Sequence, residues 1–487
     1  MKKITLVWLA VAALWSSAAS AQDTWNLQRA VTYALSNNIT VRQADLAYEQ
    51  AAIDYRSNNA GLYPNAVFTN SWGVRFGRSE NPTTGILENT RALSTTFSFT
   101  SSFNIFNFYS LRNAVGAYKY QQQAAQMSEE LARNDVSLRV ANAYLLTLQS
   151  MEQVRVSQLQ IALTTEQLNQ TRKRVEAGSL PELNVAEIEA QLATDSSNLV
   201  TATSNKELQL LQLKAVLNLD AGAPFEVETP DLDKVPLEPL SEMQPEAVYN
   251  LALVNLPQIK VDDLNILAAE KNRAATRGAM YPRLGGYVNL ASNFYSALQR
   301  AIAGVDPASE RPTGLYARTP GTTVSIPVFS PVFTGKTVGK PFGQIWSGFG
   351  PQLNQNFGQN VGVSLSVPIF NGFQARSNWD RAKLNLRTRQ LQRDLDNQTL
   401  KQDIYTAYNN AVASLQKQVA GRKAVETAQR SYDLAKKRYD VNLLSSFELI
   451  TNQNNLVTAQ INYLLARYDY VFKMKVLEFY KGQGMKF

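Results

Sequence analysis

The sequence predicts a mixed α and β membrane protein built from one unit used twice. Three observations predict it. The same short words recur in the same order in two halves of the 487-residue chain. Each half holds stretches in which apolar residues alternate with small, uncharged polar ones. Each half then turns into a helical region of roughly 100 residues or more.

The chain opens with a segment, residues 1–21, that reads as a secretory signal peptide. Lys2 and Lys3 precede an apolar run from Ile4 to Trp15, and Ala19-Ser20-Ala21 fits the small-x-small cleavage rule. Gln22 is then the first mature residue. The run is too short to span a bilayer; a retained anchor is the competing reading. No cysteine follows, so there is no acceptor for an N-terminal lipid and no disulfide.

The first repeat covers residues 22–219 and the second 248–487. "ALSNNITVRQADL" (Ala34–Leu46) aligns with "ALVNLPQIKVDDL" (Ala252–Leu264), and "GLYPN" (Gly61–Asn65) with "AMYPR" (Ala279–Arg283). "IFN" at Ile105–Asn107 meets "IFN" at Ile369–Asn371. "KRVEAGSLPEL" from Lys173 meets "KRYDVNLLSSFEL" from Lys437. Residues 220–247 between them are rich in proline and acidic residues and read as a linker with little regular structure.

In each copy a first helix ends at Tyr-Pro, at Pro64 and at Pro282, because the residue before proline is pushed out of the helical region. Strands follow at about 63–78 and 92–108, then at about 283–296 and 356–370. Phe97, Phe99, Phe103 and Ile105 alternate with Ser98, Thr100, Ser102 and Asn104. Val361, Val363, Leu365 and Val367 alternate with Gly362, Ser364, Ser366 and Pro368. A soluble sandwich would also alternate, but it usually carries Lys, Glu and Arg on its wet face. An uncharged polar face opposite an apolar one suits an outer-membrane barrel. Four strands per chain are too few to close a barrel alone, so chains must associate. The second copy carries an insertion between its strands, from Ala297 to about Gln355. It is read as a long external loop, lying across the barrel mouth or without order.

The helical regions have a coiled-coil period. Leu449, Leu456, Tyr463 and Tyr470 repeat every seven residues. Each region is interrupted once, at Glu176–Asn184 and at Asp440–Glu448, so each is an antiparallel hairpin. The first arms run from about 110 to 177 and 374 to 441, roughly 100 Å each. Gly178 is a candidate C-cap, and Ser179 and Ser445 are candidate N-caps. At the strand-to-helix junction, Pro368 suits the end of a strand and Asn371-Gly372 supplies a turn.

Composition argues against catalysis. There is no His and no Cys, which removes the commonest general base and the softest metal ligands. No Gly-rich phosphate loop or nucleophile elbow is present. The expectation is no catalytic residue, no metal and no cofactor. The net charge is +8, or 46 − 40 = +6 once Lys2 and Lys3 are removed. Spread along the chain, it reads as a solvated mixed surface, with no nucleic acid as partner.

Taken in order, the "YP" before a strand, "PIFNG" before a helix, "KRYDVNLLSSFEL" at a hairpin tip and the duplication resemble the TolC family of outer-membrane channels. The resemblance covers essentially the whole mature chain. It implies a homotrimer forming a 12-stranded β-barrel in outer-membrane lipid, continued by a periplasmic α-helical tunnel. It further implies an exit duct for an efflux pump or a type I secretion system, with a periplasmic adaptor and an inner-membrane transporter as partners. A periplasmic coiled-coil adaptor or scaffold with a soluble β-domain is the alternative.

The resemblance also assigns sites. The adaptor-docking tips would be Gly178, Ser179 and Leu180, with Asn442, Leu443, Leu444 and Ser445. The periplasmic entrance constriction would include Glu448, with Asn184 and Thr451 at positions where the family often has acidic residues. The two uncharged residues there put a second acidic ring in doubt.

Overall fold

The structure is a computed structural model and describes residues 24–80, 87–229, 235–305, 311–318, 321, 325–330, 333–441 and 443–482. The signal segment 1–21 and Asn442 lie outside the described residues.

In the first repeat, a two-residue strand β1 (Thr24–Trp25) leads into helices α1 (Leu27–Asn37) and α2 (Ile39–Ala60). Strands β2 (Asn65–Glu80) and β3 (Leu87–Phe106) precede the 67-residue helix α3 (Ser110–Glu176) and the 35-residue α4 (Leu183–Leu217). The linker holds strand β4 (Glu226–Val227), which pairs in parallel with β1, and a 3-10 turn at Leu240–Glu242. The second repeat gives α5 (Pro245–Asn255), α6 (Pro257–Gly278) and β5 (Arg283–Ala297). The insertion forms β6 (Gln299–Val305), β7 (Arg311–Arg318), β8 (Ser325–Ser330) and β9 (Phe333–Gly339), then short helices α7 (Phe342–Ile345) and α8 (Phe349–Gln355). Strand β10 (Gly358–Ser366) and helices α9 (Gln374–Asp440) and α10 (Ser446–Tyr480) complete it; α9 and α10 again have 67 and 35 residues.

Two compact units result. One comprises residues 57–114 and 274–379, the other the rest of the chain.

The strand-bearing unit is built on a four-stranded antiparallel sheet in the order β10-β5-β3-β2. The register aligns one apolar face across all four strands. Phe68 pairs with Phe99, Phe99 with Leu290, and Val361 with Val288. On the opposite face Thr69 pairs with Ser98, Ser98 with Ala291, and Ser364 with Gly285. A register shift between Asn104 and Phe106 makes Ile105 an extra, bulged residue. Phe106, not Ile105, therefore continues the apolar face, opposite Leu284. The insertion is not simply a loop: β6 pairs with β9, and β7 with β8. Its last part, α7 and α8, folds back on the apolar face of the sheet.

The helical unit has matching cores in the two repeats. Ala30, Ala34, Val140, Tyr144, Leu213 and Leu217 pack in the first. Val248, Ala252, Ile404, Ala407, Met474 and Leu477 pack in the second. Lysine side chains fasten the linker near both ends. Lys214 Nζ donates to the carbonyls of Ala221 and Ala223, and Lys475 Nζ to that of Pro236. Among the described residues no helix is long and apolar enough to cross a membrane.

Candidate functional site: the hairpin tips

The four long helices meet at two interruptions. The first tip follows from helix-termination chemistry. At the end of α3, Gly178 takes a left-handed φ of 76°. Ser179 N–H and its hydroxyl both donate to Arg174 O, at 2.9 and 2.8 Å. Ser179 thus closes α3 and does not cap α4, whose N-cap residue Glu182 makes no side-chain capping bond. Asn184 N–H donates to Pro181 O, and its side chain is half-buried.

The second tip uses a reciprocal cap. Ser445 Oγ accepts from Glu448 N–H at 3.2 Å, while Glu448 Oε2 accepts from Ser445 N–H at 3.2 Å. The Glu448 carboxylate is therefore held back against its own helix N-terminus, where the helix dipole favours an anion. Thr451 Oγ1 donates to Phe447 O at 2.8 Å. Leu443 N–H donates to Arg438 O at 2.8 Å and so terminates α9.

Leu180 and Leu444 pack around a small tip core of Ala435, Tyr439 and Leu449. Leu443 does not: it is 75% exposed, and Phe447 beside it is 68% exposed. Leu183 and Val441 are also exposed. Sequence reading missed Phe447, Leu183 and Val441. Their signal was available in part: they are apolar residues beside a turn, and exposed apolar groups mark contact surfaces.

The two hairpins are joined by polar groups. Thr171 Oγ1 and Tyr439 Oη share a hydrogen bond of 2.9 Å. Arg174 donates to the carbonyls of Tyr439 and Asp440, and its guanidinium lies 5.3 Å from the Tyr439 ring centroid. Ser446 Oγ donates to the Glu187 carboxylate. Further along, inside the first hairpin, Asp195 accepts from Thr164 Oγ1 at 2.7 Å and from Gln191 Nε2 at 2.7 Å. Gln453 Nε2 in turn donates to Thr164 Oγ1. Thr164, Asp195 and Gln453 are all buried. On α10 the polar positions Ser446 and Gln453 alternate with the apolar Leu449 and Leu456, so polar layers interleave with hydrocarbon ones. Among the described residues no cluster of three or more His, Cys, Asp or Glu stands ready for a metal.

The tips can therefore do two things. They present apolar side chains outward, and they join the two hairpins through polar bonds beside a small apolar core. Pro368, Asn371 and Gly372 lie in the other unit, between β10 and α9. Gly372 has a φ of 62°, as a turn there requires.

A family model described as outer membrane efflux protein matches residues 30–219 and 347–482, well over half of the chain. The chain belongs to that family. The stretch between the two matched parts, residues 220–346, holds the linker, α5, α6, β5 and most of the insertion. Among curated proteins it is similar to Toxin and drug export protein A of Aggregatibacter actinomycetemcomitans, with 24% identity over 57% of this chain and 59% of the relative. It is similar also to Outer membrane protein TolC of Escherichia coli K12, with 24% identity over 73% of this chain and 63% of the relative. The chain thus spans less than two thirds of the length of these relatives. Among solved structures it resembles the CmeC outer membrane channel of Campylobacter jejuni, with a TM-score of 0.73, 18% identity, and coverage of 96% and 87%. That likeness establishes a TolC-like fold: long helical hairpins plus strands in a duplicated unit. The family is one of efflux proteins and not of enzymes.

Proposed function

We propose that this efflux-family protein is the exit duct of a tripartite pump or type I secretion system, passing small molecules or polypeptide across the periplasm and outer membrane. TolC-family proteins work as trimers within tripartite pumps. The observation that carries the reading is the four-stranded sheet with one continuous apolar face. Its edge strands β2 and β10 each have one partner among the described residues. An apolar face needs lipid, and open edges need further strands. Three copies would supply twelve strands. A soluble β-domain on an adaptor, the alternative reading, is set aside by the family match.

The tips are read as the adaptor-docking end, centred on Leu443 and its neighbours, with an inner-membrane transporter beyond. The exposed apolar side chains there support it. Glu448 is read as part of the entrance constriction, three carboxylates converging in the trimer. In planar-bilayer recordings, a trivalent cation added on the periplasmic side would then block current through the parent and not through Glu448→Gln. Because Glu448 also caps its helix, Glu448→Asp serves as a control that keeps the charge.

The test of the duct itself is assembly. Protein purified in detergent should weigh three chains by native mass spectrometry and conduct ions in a planar bilayer. A stable single chain that stays soluble without detergent overturns the proposal.

A further inference from the structure

We propose that residues 341–356, the last part of the insertion, form a lipid-contacting collar on the outside of the barrel at the headgroup level of the outer leaflet. This rests on the reading of the sheet's apolar face as membrane-facing.

The segment lies on that face through aromatic contacts. The Trp346 ring stacks parallel to that of Phe294 at 5.9 Å and meets Trp72 edge-on at 5.6 Å. The Phe349 ring meets Phe294 at 5.0 Å and Phe97 at 6.4 Å. Register places Phe294 opposite Thr95, and Thr95 opposite Trp72, all on the apolar face with Phe97. Polar bonds fasten the segment as well. Ser292 Oγ donates to Leu353 O at 2.6 Å, and Asn356 Nδ2 to Asn293 O at 2.7 Å. The segment is thus a built layer, not a strand of loop draped across the pore.

Its height on the sheet matches a membrane interface. A second aromatic group stands at the other end of the strands, where Phe106 contacts Phe108 and Tyr109. From Phe97 to Phe106 the strand covers roughly 31 Å, or roughly 23 Å of height at a tilt near 40°. Outer-membrane barrels carry an apolar band about 25 Å tall between two aromatic girdles. The Trp346 layer falls where the upper girdle belongs, and Trp is the residue most at home at a membrane interface.

Charge supplies independent support. From Pro341 to Ala375 there is no Asp, Glu, Lys or Arg. Earlier in the insertion, Arg300, Asp306, Glu310, Arg311, Arg318, Lys336 and Lys340 are all charged. Charge thus ends where the chain folds back on the sheet, and does not return until Arg376, beyond the last strand. A segment facing only water has no reason to shed charge there. One contacting the boundary between headgroups and acyl chains does. Phe342, 76% exposed, projects from this layer, its ring meeting that of Trp346 edge-on at 6.2 Å. The lipid is its occupant, continuous with that of Val361, Val363 and Leu365 on the same face.

The chain has no cysteine, so single cysteines can report depth. Phe342→Cys, Val363→Cys and Ser98→Cys would each be labelled with a small fluorophore in the full mature protein, assembled and placed in vesicles. Vesicles would contain lipids carrying a nitroxide quencher either at the headgroup or deep in the acyl chain. The Phe342 label should lose most of its emission to the headgroup quencher and little to the deep one. The Val363 label should respond to the deep quencher, and the Ser98 label to neither lipid but to aqueous iodide. If the Phe342 label responds to iodide alone while Val363 behaves as stated, the collar is overturned and the barrel stands. If it escapes both lipid and iodide, a neighbouring chain covers it, and the collar is again overturned. If the Val363 label escapes lipid, the membrane-facing reading falls and takes the collar with it.

Discussion

Tyr109 and Phe373 occupy the same place in the two repeats, and both hold left-handed backbone, with φ of 59° and 60°. The residue before each does the same: Phe108 at 49° and Gly372 at 62°. Each pair follows an "IFN" word and turns the chain from a strand into a 67-residue helix. In the first repeat, two aromatic residues bear a conformation that disfavours them. The stacking of Phe108 on Tyr281, at 4.8 Å, helps to hold it there.

Gly372→Ala isolates that backbone cost. A Cβ on Gly372 would meet nothing within 4 Å, so only the left-handed conformation is penalised. The expected loss is about 1 kcal/mol, read as a lower midpoint in thermal unfolding. An unchanged midpoint would show that the turn is not strained as described.

Charge on the apolar face should be costly, and on the polar face much less so. Val363→Arg near the middle of β10 should destabilise by about 2–4 kcal/mol in a bilayer-folding titration. Ser364→Arg, one residue on and on the other face, should cost little. Equal costs would reverse the assignment of the faces.

The linker should depend on a buried ion pair. Lys475 Nζ lies 2.8 Å from Glu478 Oε2, both side chains are buried, and Glu478 Oε1 accepts from Glu238 N–H at 3.3 Å. Glu478→Gln leaves an ammonium without its anion and should cost about 3–5 kcal/mol. Lys475→Met combined with Glu478→Leu should recover much of that. Limited proteolysis should show residues 235–243 opening in the single variant and protected again in the double one.

Asp262 should make stability fall with pH. Burial first, then the neighbouring Asp396, pushes its carboxyl up to about 6, with Gln258 opposing; Asp263 also raises it, though Arg393 pairs with Asp263. Near pH 3 and below, the group is protonated in the folded and largely in the unfolded chain, so it costs little. As pH rises toward about 6 the unfolded chain ionises first, and folding pays a penalty that persists above. Asp262→Asn should therefore match the parent near pH 3 and exceed it in melting temperature at pH 7.5. A parent already flat between those values would contradict this.

Most of the architecture was legible because its signals are periodic. The alternation of Phe97, Phe99, Val363 and Leu365 with their neighbours set the sheet faces, and the pairing register keeps those faces together. Helix lengths followed from the distance between "IFN" and each tip. The bulge at Ile105 left no trace in the alternation, since one inserted residue looks like one more apolar position. The insertion was read as loop because its strands are short and interrupted by proline and glycine. At the tips, Ser445 announced itself as a cap, but Tyr439, Thr164 and Asp195 did not announce the seam. A buried layer of hydroxyl and amide groups reads, in one dimension, like a wet helix face. Only packing distinguishes the two.

That seam bears on how the molecule responds to temperature. Wetting hydrocarbon raises heat capacity, by about 0.45 cal/K/mol per Å², whereas wetting polar surface lowers it by about 0.26. Between the hairpins, the polar contact of Gln453 with Thr164 stands beside the apolar packing of Leu449 with Leu180. Parting them wets both kinds of surface at once, and the two contributions oppose each other. A joint made this way would part with little curvature in its equilibrium, so temperature would shift it far less than it shifts the folding of the cores on either side.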